Sequence, residues 1–209
     1  MKTFASTLLL SLALAVPAAA EGNRPADAGS AAVAKGDSAG AASSTAVERR
    51  AARLDLMFGR LAKATQKRRA DGIARNIMAQ LSRSGSPTAD LLMQQAALAI
   101  RAMELGKALD FLDGVVRTNP TFAEGWNRRA TVHFMRGDYG RSLADIEQVL
   151  RLEPRHWGAL SGLAIILTSL ERKKEALTVM DRVLEIHPHL DEMEQRRDRL
   201  RQEVNGADI

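Results

Sequence analysis

The sequence repeats itself every 34 residues, and this period constrains the fold more than any other feature of the chain. Prolines end three successive segments of this length: Pro120, Pro154 and Pro188. Small residues recur at two fixed places in each segment: Ala96, Ala130 and Ala164, then Ala108, Ser142 and Ala176. A period of 34 with small residues at fixed places is typical of stacked helix–turn–helix units. The period therefore predicts an all-α fold, and such units usually form a surface for binding.

The segment from Ala123 to Pro154 shows how one unit makes two packed helices. Residues at three- and four-residue steps share one side of a first helix: Trp126, Ala130, His133 and Phe134. A second helix has its own apolar stripe: Leu143, Ile146, Val149 and Leu150. Between them, Gly137 suits the left-handed end of a helix and Asp138 can cap the next start. Ala130 and Ser142 are small where the helices should cross, so we expect their backbones to approach closely.

This unit resembles the tetratricopeptide repeat, through the run Trp126–Ala130, then Gly137-Asp138-Tyr139, Ser142-Leu143 and Pro154. The resemblance implies a helical-hairpin solenoid with three clear repeats, at residues 89–122, 123–156 and 157–188. It also implies one degenerate N-terminal repeat in a helical pair at 47–88, and a capping helix and tail at 189–209. Arg129 departs from the pattern, since the family usually has leucine at its place.

The first 46 residues differ in composition from the rest. Lys2, an apolar run from Phe4 to Val16 and the small residues that end at Ala20 predict a signal peptide at 1–20, cleaved after Ala20. A membrane anchor is the alternative, but the run is shorter than the roughly 20 residues a spanning helix needs. Residues 21–46 are mostly Ala, Gly and Ser, so we expect a flexible linker there. Export by this route in a Gram-negative bacterium would place the protein in the periplasm, with no transmembrane segment.

Positive charge is concentrated before the repeats. Residues 48–83 hold ten basic residues and three acidic ones, whereas the whole chain has a net charge of only +5. This pattern fits either a solvated helix face or a contact, through residues 49–83, with an acidic surface of the cell envelope. Nucleic acid is not expected as a partner, because Phe58 is the only aromatic residue in the segment and no stacking platform is visible.

The resemblance also indicates where a partner would bind, since the first helix of each unit lines the family's peptide groove. On this chain the lining and candidate partner-binding residues would be Met93, Gln94, Ile100, Arg101, Asn127, Arg128, Thr131, Phe134, Met135 and Ile165. Their mixture suits a peptide with apolar anchors and a carboxylate, which an arginine could hold by paired hydrogen bonds. The alternative is that Asn127 and Arg128 simply face solvent.

No pattern for catalysis, a cofactor or a metal stands out. The chain has no cysteine, which excludes disulfides and thiolate metal sites. His187 and His189 could ligate a metal, but no carboxylate spacing beside them supports a closed site. We therefore expect a non-enzymatic module of the periplasm that binds a protein or peptide. One alternative is an envelope-associated structural or assembly factor that acts through self-association or through its basic N-terminal helices. Another is a subunit of an enzyme whose catalytic chain lies elsewhere.

Overall fold

The structure, a computed structural model, describes the backbone of residues 36–207 and the side chains of residues 48–206. The predicted signal peptide and the predicted linker up to residue 35 lie outside these residues. The described part is all α-helical, as the sequence predicts, and the helices from residue 45 onwards form one compact unit. The helices are α1 (Gly36–Ala62), α2 (Lys67–Leu81), α3 (Pro87–Arg101), α4 (Leu105–Thr118), α5 (Ala123–Met135), α6 (Tyr139–Leu152), α7 (Trp157–Ser169), α8 (Lys173–Ile186) and α9 (Asp191–Ala207).

The first helix starts earlier than the composition predicts. It begins at Gly36, so residues 36–46 of the predicted linker are helical. Alanine has the highest helix propensity of all residues, and the four alanines of residues 36–46 offset part of the cost of Gly36 and Gly40. The change in composition at residue 47 therefore does not mark the start of the helix, which begins at Gly36.

Three helical hairpins follow the 34-residue period: α3 with α4, α5 with α6, and α7 with α8. The turn inside the second hairpin forms as predicted. Gly137 has a φ of +74°, and the Asp138 side chain accepts a hydrogen bond of 3.2 Å from the backbone N–H of Arg141. The helices then cross at two small buried residues, where the Ser142 hydroxyl donates a 2.8 Å hydrogen bond to the Ala130 carbonyl. Larger side chains at this crossing would separate the backbones.

The hairpins stack because the second helix of each one packs against the first helix of the next. The buried contacts repeat with the period, so that α4 covers α5, α6 covers α7, and α8 covers α9. Spacing at the first of these contacts is especially tight. A Cβ added to Gly125 on α5 would lie 2.7 Å from Cγ1 of Val115 on α4. The last contact buries Met193 and Leu200 of α9, which agrees with a C-terminal capping helix.

Arg129, which departs from the family pattern, is part of a buried charge cluster. Its guanidinium donates to both carboxylate oxygens of Asp145 on α6, at 2.9 and 2.6 Å, and to Asp113 on α4 at 2.8 Å. The same group lies 4.8 Å from the ring centre of Trp126. Asp145 is only 3 % exposed, so Arg129 supplies the partner that a buried carboxylate requires. The arginine therefore joins three helices at a place where leucine would join them by apolar contact.

The N-terminal helical pair packs differently from a further repeat. α2 does not stack on α3 in the way that α4 stacks on α5. Instead, α1 and α2 pack against the loops that join successive units and against α7. Phe58 of α1 meets Trp157 of α7 edge to face, with ring centres 6.0 Å apart, and Arg155 lies 4.1 Å above the Phe58 ring. The pair is thus a helical hairpin with repeat-like sequence that occupies a different position.

Polar contacts fix this α1–α2 hairpin to all three junction loops. At the first loop, the Asn119 side chain donates to the carbonyl of Ser84, which follows α2 in the connection to α3, at 2.9 Å. At the second, Arg155 and Asp55 form an ion pair at 2.8 Å. At the third, His189 Nε2 lies 2.8 Å from the Ala64 carbonyl, beside an ion pair at 3.0 Å between Lys67 and Asp191. The hairpin therefore runs along the edge formed by the three proline-containing loops.

Gly125→Ala should destabilise the chain by about 1–3 kcal/mol, because the added methyl group would overlap Val115 at a tightly packed contact. Gly106→Ala is the matched control, since no atom lies within 4 Å of a Cβ at that helical position. The control should gain roughly 0.4–1 kcal/mol by restricting the unfolded chain. Urea denaturation of both variants measures the difference. Equal stabilities would show that the stacking contact can relax at no cost.

Candidate functional site

A cavity of about 700 Å³ lies between α3 and α5, the first helices of two neighbouring units. Five of the candidate partner-binding residues line it: Met93, Gln94, Ile100, Arg101 and Arg128. These positions face the cavity because residues three or four apart share one side of a helix. The walls combine aliphatic side chains with charged groups, and Glu124 forms part of the lining.

A second cavity of about 280 Å³ lies between α5 and α7. Four more of the candidate residues line it: Asn127, Thr131, Phe134 and Ile165. Its walls are mainly apolar, and Phe134 is held in place by stacking on Tyr139, with ring centres 5.6 Å apart. Gly158 and Gly162 of α7 leave space that larger side chains would fill. The cavity can therefore accept an apolar side chain.

The structure brings nine of the ten candidate residues to these two cavities. Met135 is the exception, because it lies at the C-terminal end of α5, is 40 % exposed and lines neither cavity. α5 contributes residues to both cavities, so the two openings adjoin along the first helices of three consecutive units. This row of openings is called the groove below.

A buried carboxylate beneath the groove ties together the polar residues that the sequence suggested as ligands. Glu124 is 1 % exposed, and its Oε1 accepts a 2.8 Å hydrogen bond from Arg128 Nε. Its Oε2 accepts from Asn127 Nδ2 at 2.9 Å and lies 3.3 Å from His156 Nε2. The backbone N–H of Ala159 donates to His156 Nδ1, so Nε2 carries the hydrogen that points at Glu124. Asn127 and Arg128 are therefore engaged with Glu124.

Sequence reasoning missed Glu124 and His156, which are 32 residues apart. Burial favours a raised pKa for Glu124, but the hydrogen bond from His156 and the positive charge of Arg128 act in the opposite direction and prevail. The pKa of Glu124 consequently lies below its ordinary value of 4.5. The carboxylate stays ionised, and it holds the first turn of α5 against His156, the residue that caps α7. One available signal was the position of Glu124 at the start of a helix, which favours negative charge.

Arg101 remains available for an anionic ligand group. It is exposed, lines the first cavity and forms no ion pair with another residue in the described part of the chain. Arg128 also reaches this cavity, but its Nε is bonded to Glu124. Of the two arginines, Arg101 is therefore the better partner for a carboxylate, and Arg128 contributes positive charge beside it.

His187 and His189, the two histidines considered as metal ligands, instead make packing and hydrogen-bond contacts within the fold. His189 bonds to a backbone carbonyl of the α1–α2 hairpin, as described above, and the ring of His187 lies 5.6 Å from that of Trp157. Within residues 36–207 no three metal-ligating side chains come together. None of the described helices is both long enough and apolar enough to cross a membrane.

Comparison with known proteins relates the chain to one family. A family model described as tetratricopeptide repeat matches residues 127–191. A TPR repeat-containing protein of Rhizobium etli is 45 % identical over 136 residues, which make up 65 % of this chain and 67 % of the relative. The family model covers most of the second unit and all of the third unit that the 34-residue period defines.

Solved structures with the same fold share little sequence with the chain. The first TPR domain of Spaghetti (RPAP3), bound to an HSP90 peptide, gives a TM-score of 0.55 at 19 % identity over 57 % of this chain and 95 % of that domain. The Sgt2 TPR domain from Aspergillus fumigatus also gives 0.55 at 19 %, over 59 % and 83 %. The TPR2B domain of yeast Sti1, in complex with an Hsp70 peptide, gives 0.53 at 15 %, over 56 % and 99 %. Similarity at this level of identity shows a common fold.

Glu124→Gln should lower stability at neutral pH by about 1–3 kcal/mol, since it weakens three hydrogen bonds to a buried acceptor. Because the folded-state pKa is depressed, the ionised carboxylate stabilises the fold above about pH 4.5, and this contribution is lost as the pH falls through the folded-state value. The stability difference between the parent and the variant should therefore narrow below about pH 4.5.

Urea denaturation across that pH range measures the free energy of unfolding of both proteins. Glu147→Gln is the control, because Glu147 is an exposed residue paired with Arg151 one helical turn away, and it should change stability by less than about 0.5 kcal/mol. A difference for Glu124→Gln that stays constant with pH would contradict the role given to its charge.

Proposed function

Because this chain belongs to the tetratricopeptide repeat family, we propose that it is a protein-interaction module that binds an extended segment of a partner protein in the groove along α3, α5 and α7. The observation that carries the proposal is the pair of adjoining cavities, both lined by first helices of the units. Two solved domains with this fold hold peptides of HSP90 and Hsp70, which supports the same use of the fold here.

The lining of the groove favours a particular kind of segment. The second cavity, between Phe134 and Ile165, takes an apolar side chain. The first cavity presents Arg101 and the charge of Arg128 beside Met93 and Ile100, so it favours a carboxylate near a further apolar group. The fixed Glu124 network keeps the two cavities in register, because it joins α5 to the start of α7. Preorganisation of this kind reduces the cost of ordering the site on binding.

The proposal includes export to the periplasm. It is supported by the positive, apolar and small-residue regions of residues 1–20, which follow the order of a cleaved signal peptide. The groove then serves a partner protein outside the cytoplasm. The chain acts by binding, and the partner carries any chemistry.

A second candidate function uses the basic surface of α1 and α2, as an attachment to the acidic surface of the envelope. One observation favours it, since all ten basic side chains of residues 48–83 are exposed. Three of them lie on the side of α1 that faces away from its buried residues, namely Arg49, Arg53 and Arg60, and Lys63 follows directly after the helix. Such a surface attracts anionic polymers or lipid headgroups, and the attraction weakens as salt is raised.

Photocrosslinking in living cells tests the groove. A photoreactive amino acid at Thr131, Ile165 or Gln94 should yield discrete protein adducts, because each of these positions lines a cavity. The same amino acid at Lys174, an exposed position on α8 that lines neither cavity, is the matched control and should give none of these adducts. Mass spectrometry identifies the captured segment.

Phe134→Ala should reduce the adducts from Ile165 severalfold, since it removes one apolar wall of the second cavity. Leu170→Ala, at an exposed leucine that lines neither cavity, should leave them unchanged. Adducts that form equally at Lys174, or that do not respond to Phe134→Ala, would place binding outside the groove.

Export is tested by fusing alkaline phosphatase, which is active only after export, to the C-terminus. The full chain should give phosphatase activity and a mature N-terminus at Glu21, and deletion of residues 2–20 should abolish both. Cell fractionation then separates the two candidate functions. Attachment to membranes that is lost on changing Arg53, Arg60 and Lys63 to glutamate would favour the second candidate, and an uncleaved cytoplasmic chain would contradict export.

A further inference from the structure

The first helix of the array differs from its equivalents in what covers it. The outer positions of α3 are Leu91 and Leu98, which are 55 % and 57 % exposed. Moving along the chain by 34 residues at a time gives the equivalent pairs on the later helices: Gly125 with Val132, Ala159 with Ile166, and Met193 with Leu200. All six of those residues are buried. A position that is buried in three helices is thus apolar but open to solvent in the fourth.

The reason is the position of the α1–α2 hairpin. In each later unit the preceding second helix covers this face, as α4 does for α5. The helix that precedes α3 is α2, and its apolar residues Ile77 and Leu81 are buried in the cluster that contains Trp157. Within residues 45–207 no helix therefore covers the face of α3 formed by Leu91 and Leu98, which is called the end face below. The end face is apolar, as a surface that packs against another helix would be.

We propose that the end face binds the end face of a second copy of this chain, in a two-fold symmetric contact with the two α3 helices antiparallel. Leu91 and Leu98 are seven residues apart, or two helical turns, so they lie in one row along the helix. In an antiparallel pairing, Leu91 of each copy meets Leu98 of the other. A contact of this kind is isologous, since each copy offers the same patch to its partner.

Charge beside the apolar row fits the same arrangement. Asp90 and Arg101 are exposed and eleven residues apart, or about three turns, so they lie on one side of the row near its two ends. The Asp90–Arg101 pair and the Leu91–Leu98 pair have nearly the same midpoint, at Gln95. A two-fold axis at that point sets Asp90 of each copy opposite Arg101 of the other. The contact therefore gains two ion pairs, each between an aspartate of one copy and an arginine of the other. A parallel pairing would instead bring like charges to the same level.

This dimer would join two grooves. Asp90 and Arg101 also line the first cavity, so the cavities of the two copies would open beside the shared interface. The five N–H donors of Arg101 can serve both Asp90 of the second copy and the carboxylate of a bound segment, as Arg129 serves Asp145 and Asp113. A partner with two binding segments could then occupy both copies, and linkage of this kind strengthens binding without any new contact within either groove. The contact itself is a single helix pair, which is below the size of a permanent interface, so the dimer should exchange at micromolar concentrations.

Sedimentation of residues 21–209, the form that the export proposal gives, should show a monomer–dimer equilibrium that depends on concentration. Leu98→Glu should raise the dimer dissociation constant about tenfold or more, because it brings an unpaired carboxylate into an apolar contact twice. Leu170→Glu, which changes an equally apolar residue that is 43 % exposed on another face, should leave the constant unchanged. Circular dichroism confirms that both variants keep their helices.

A charge exchange distinguishes a second copy from any other occupant of the end face. Asp90→Arg alone would set arginine against arginine at both ends, and Arg101→Asp alone would set aspartate against aspartate. Each variant should therefore be monomeric by itself, and an equimolar mixture should recover dimers, because every pair in the mixed dimer has opposite charges. Failure of the mixture to associate would overturn the antiparallel pairing. A parent chain that remains monomeric up to a concentration of about 100 μM would overturn the dimer. The end face would then be a surface for a helix of another protein or for α2.

Discussion

Stacking of each second helix on the first helix of the following unit is the contact on which the rest of the structure depends. Val115, Val149 and Val183 occupy equivalent places on α4, α6 and α8, and all three are fully buried. A single hairpin would leave this stripe in water, where each Å² of exposed apolar surface costs roughly 25 cal/mol. Stacking also fixes the spacing of the first helices, and that spacing leaves the two cavities between α3, α5 and α7.

The parts that depend on local pattern could be predicted from the sequence. The period located the units, and the small residues Ala130 and Ser142 located a helix crossing that the structure contains. Nine of the ten groove residues followed from the register of the first helices. Met135 did not, because this last residue of α5 lies beyond Phe134 and lines neither cavity. Arg129 could be recognised as a departure, but its partner Asp145 is on another helix, and the pairing of charges 16 residues apart is not visible in a periodic pattern.

Long-range placement could not be predicted. The family resemblance implied a degenerate further repeat at residues 47–88, yet Phe58 and Trp157 pack together across about a hundred residues of chain. The α1–α2 hairpin could bury the same apolar residues either as a further repeat on α3 or against Trp157, so the sequence pattern alone does not decide between the two placements. The Glu124–His156 contact is of the same kind, since each residue taken alone reads as a helix-end polar group. The two residues hold α5 against the start of α7 only because the fold brings His156 to the carboxylate of Glu124, which also accepts from Asn127.

The α1–α2 hairpin changes how the array should come apart. In a repeat protein whose units contact only their neighbours, the ends fray and the units melt in sequence, so stability is a sum of local contributions. Here one hairpin and the connection that follows it are fixed to three successive junction loops, through Asp55 and Ala64 of the hairpin and Ser84 of the connection. Separating any one unit therefore disturbs contacts at the others. A chain built from repeats thereby acquires the cooperative unfolding of a globular domain, and the spacing of its grooves is held constant as a consequence.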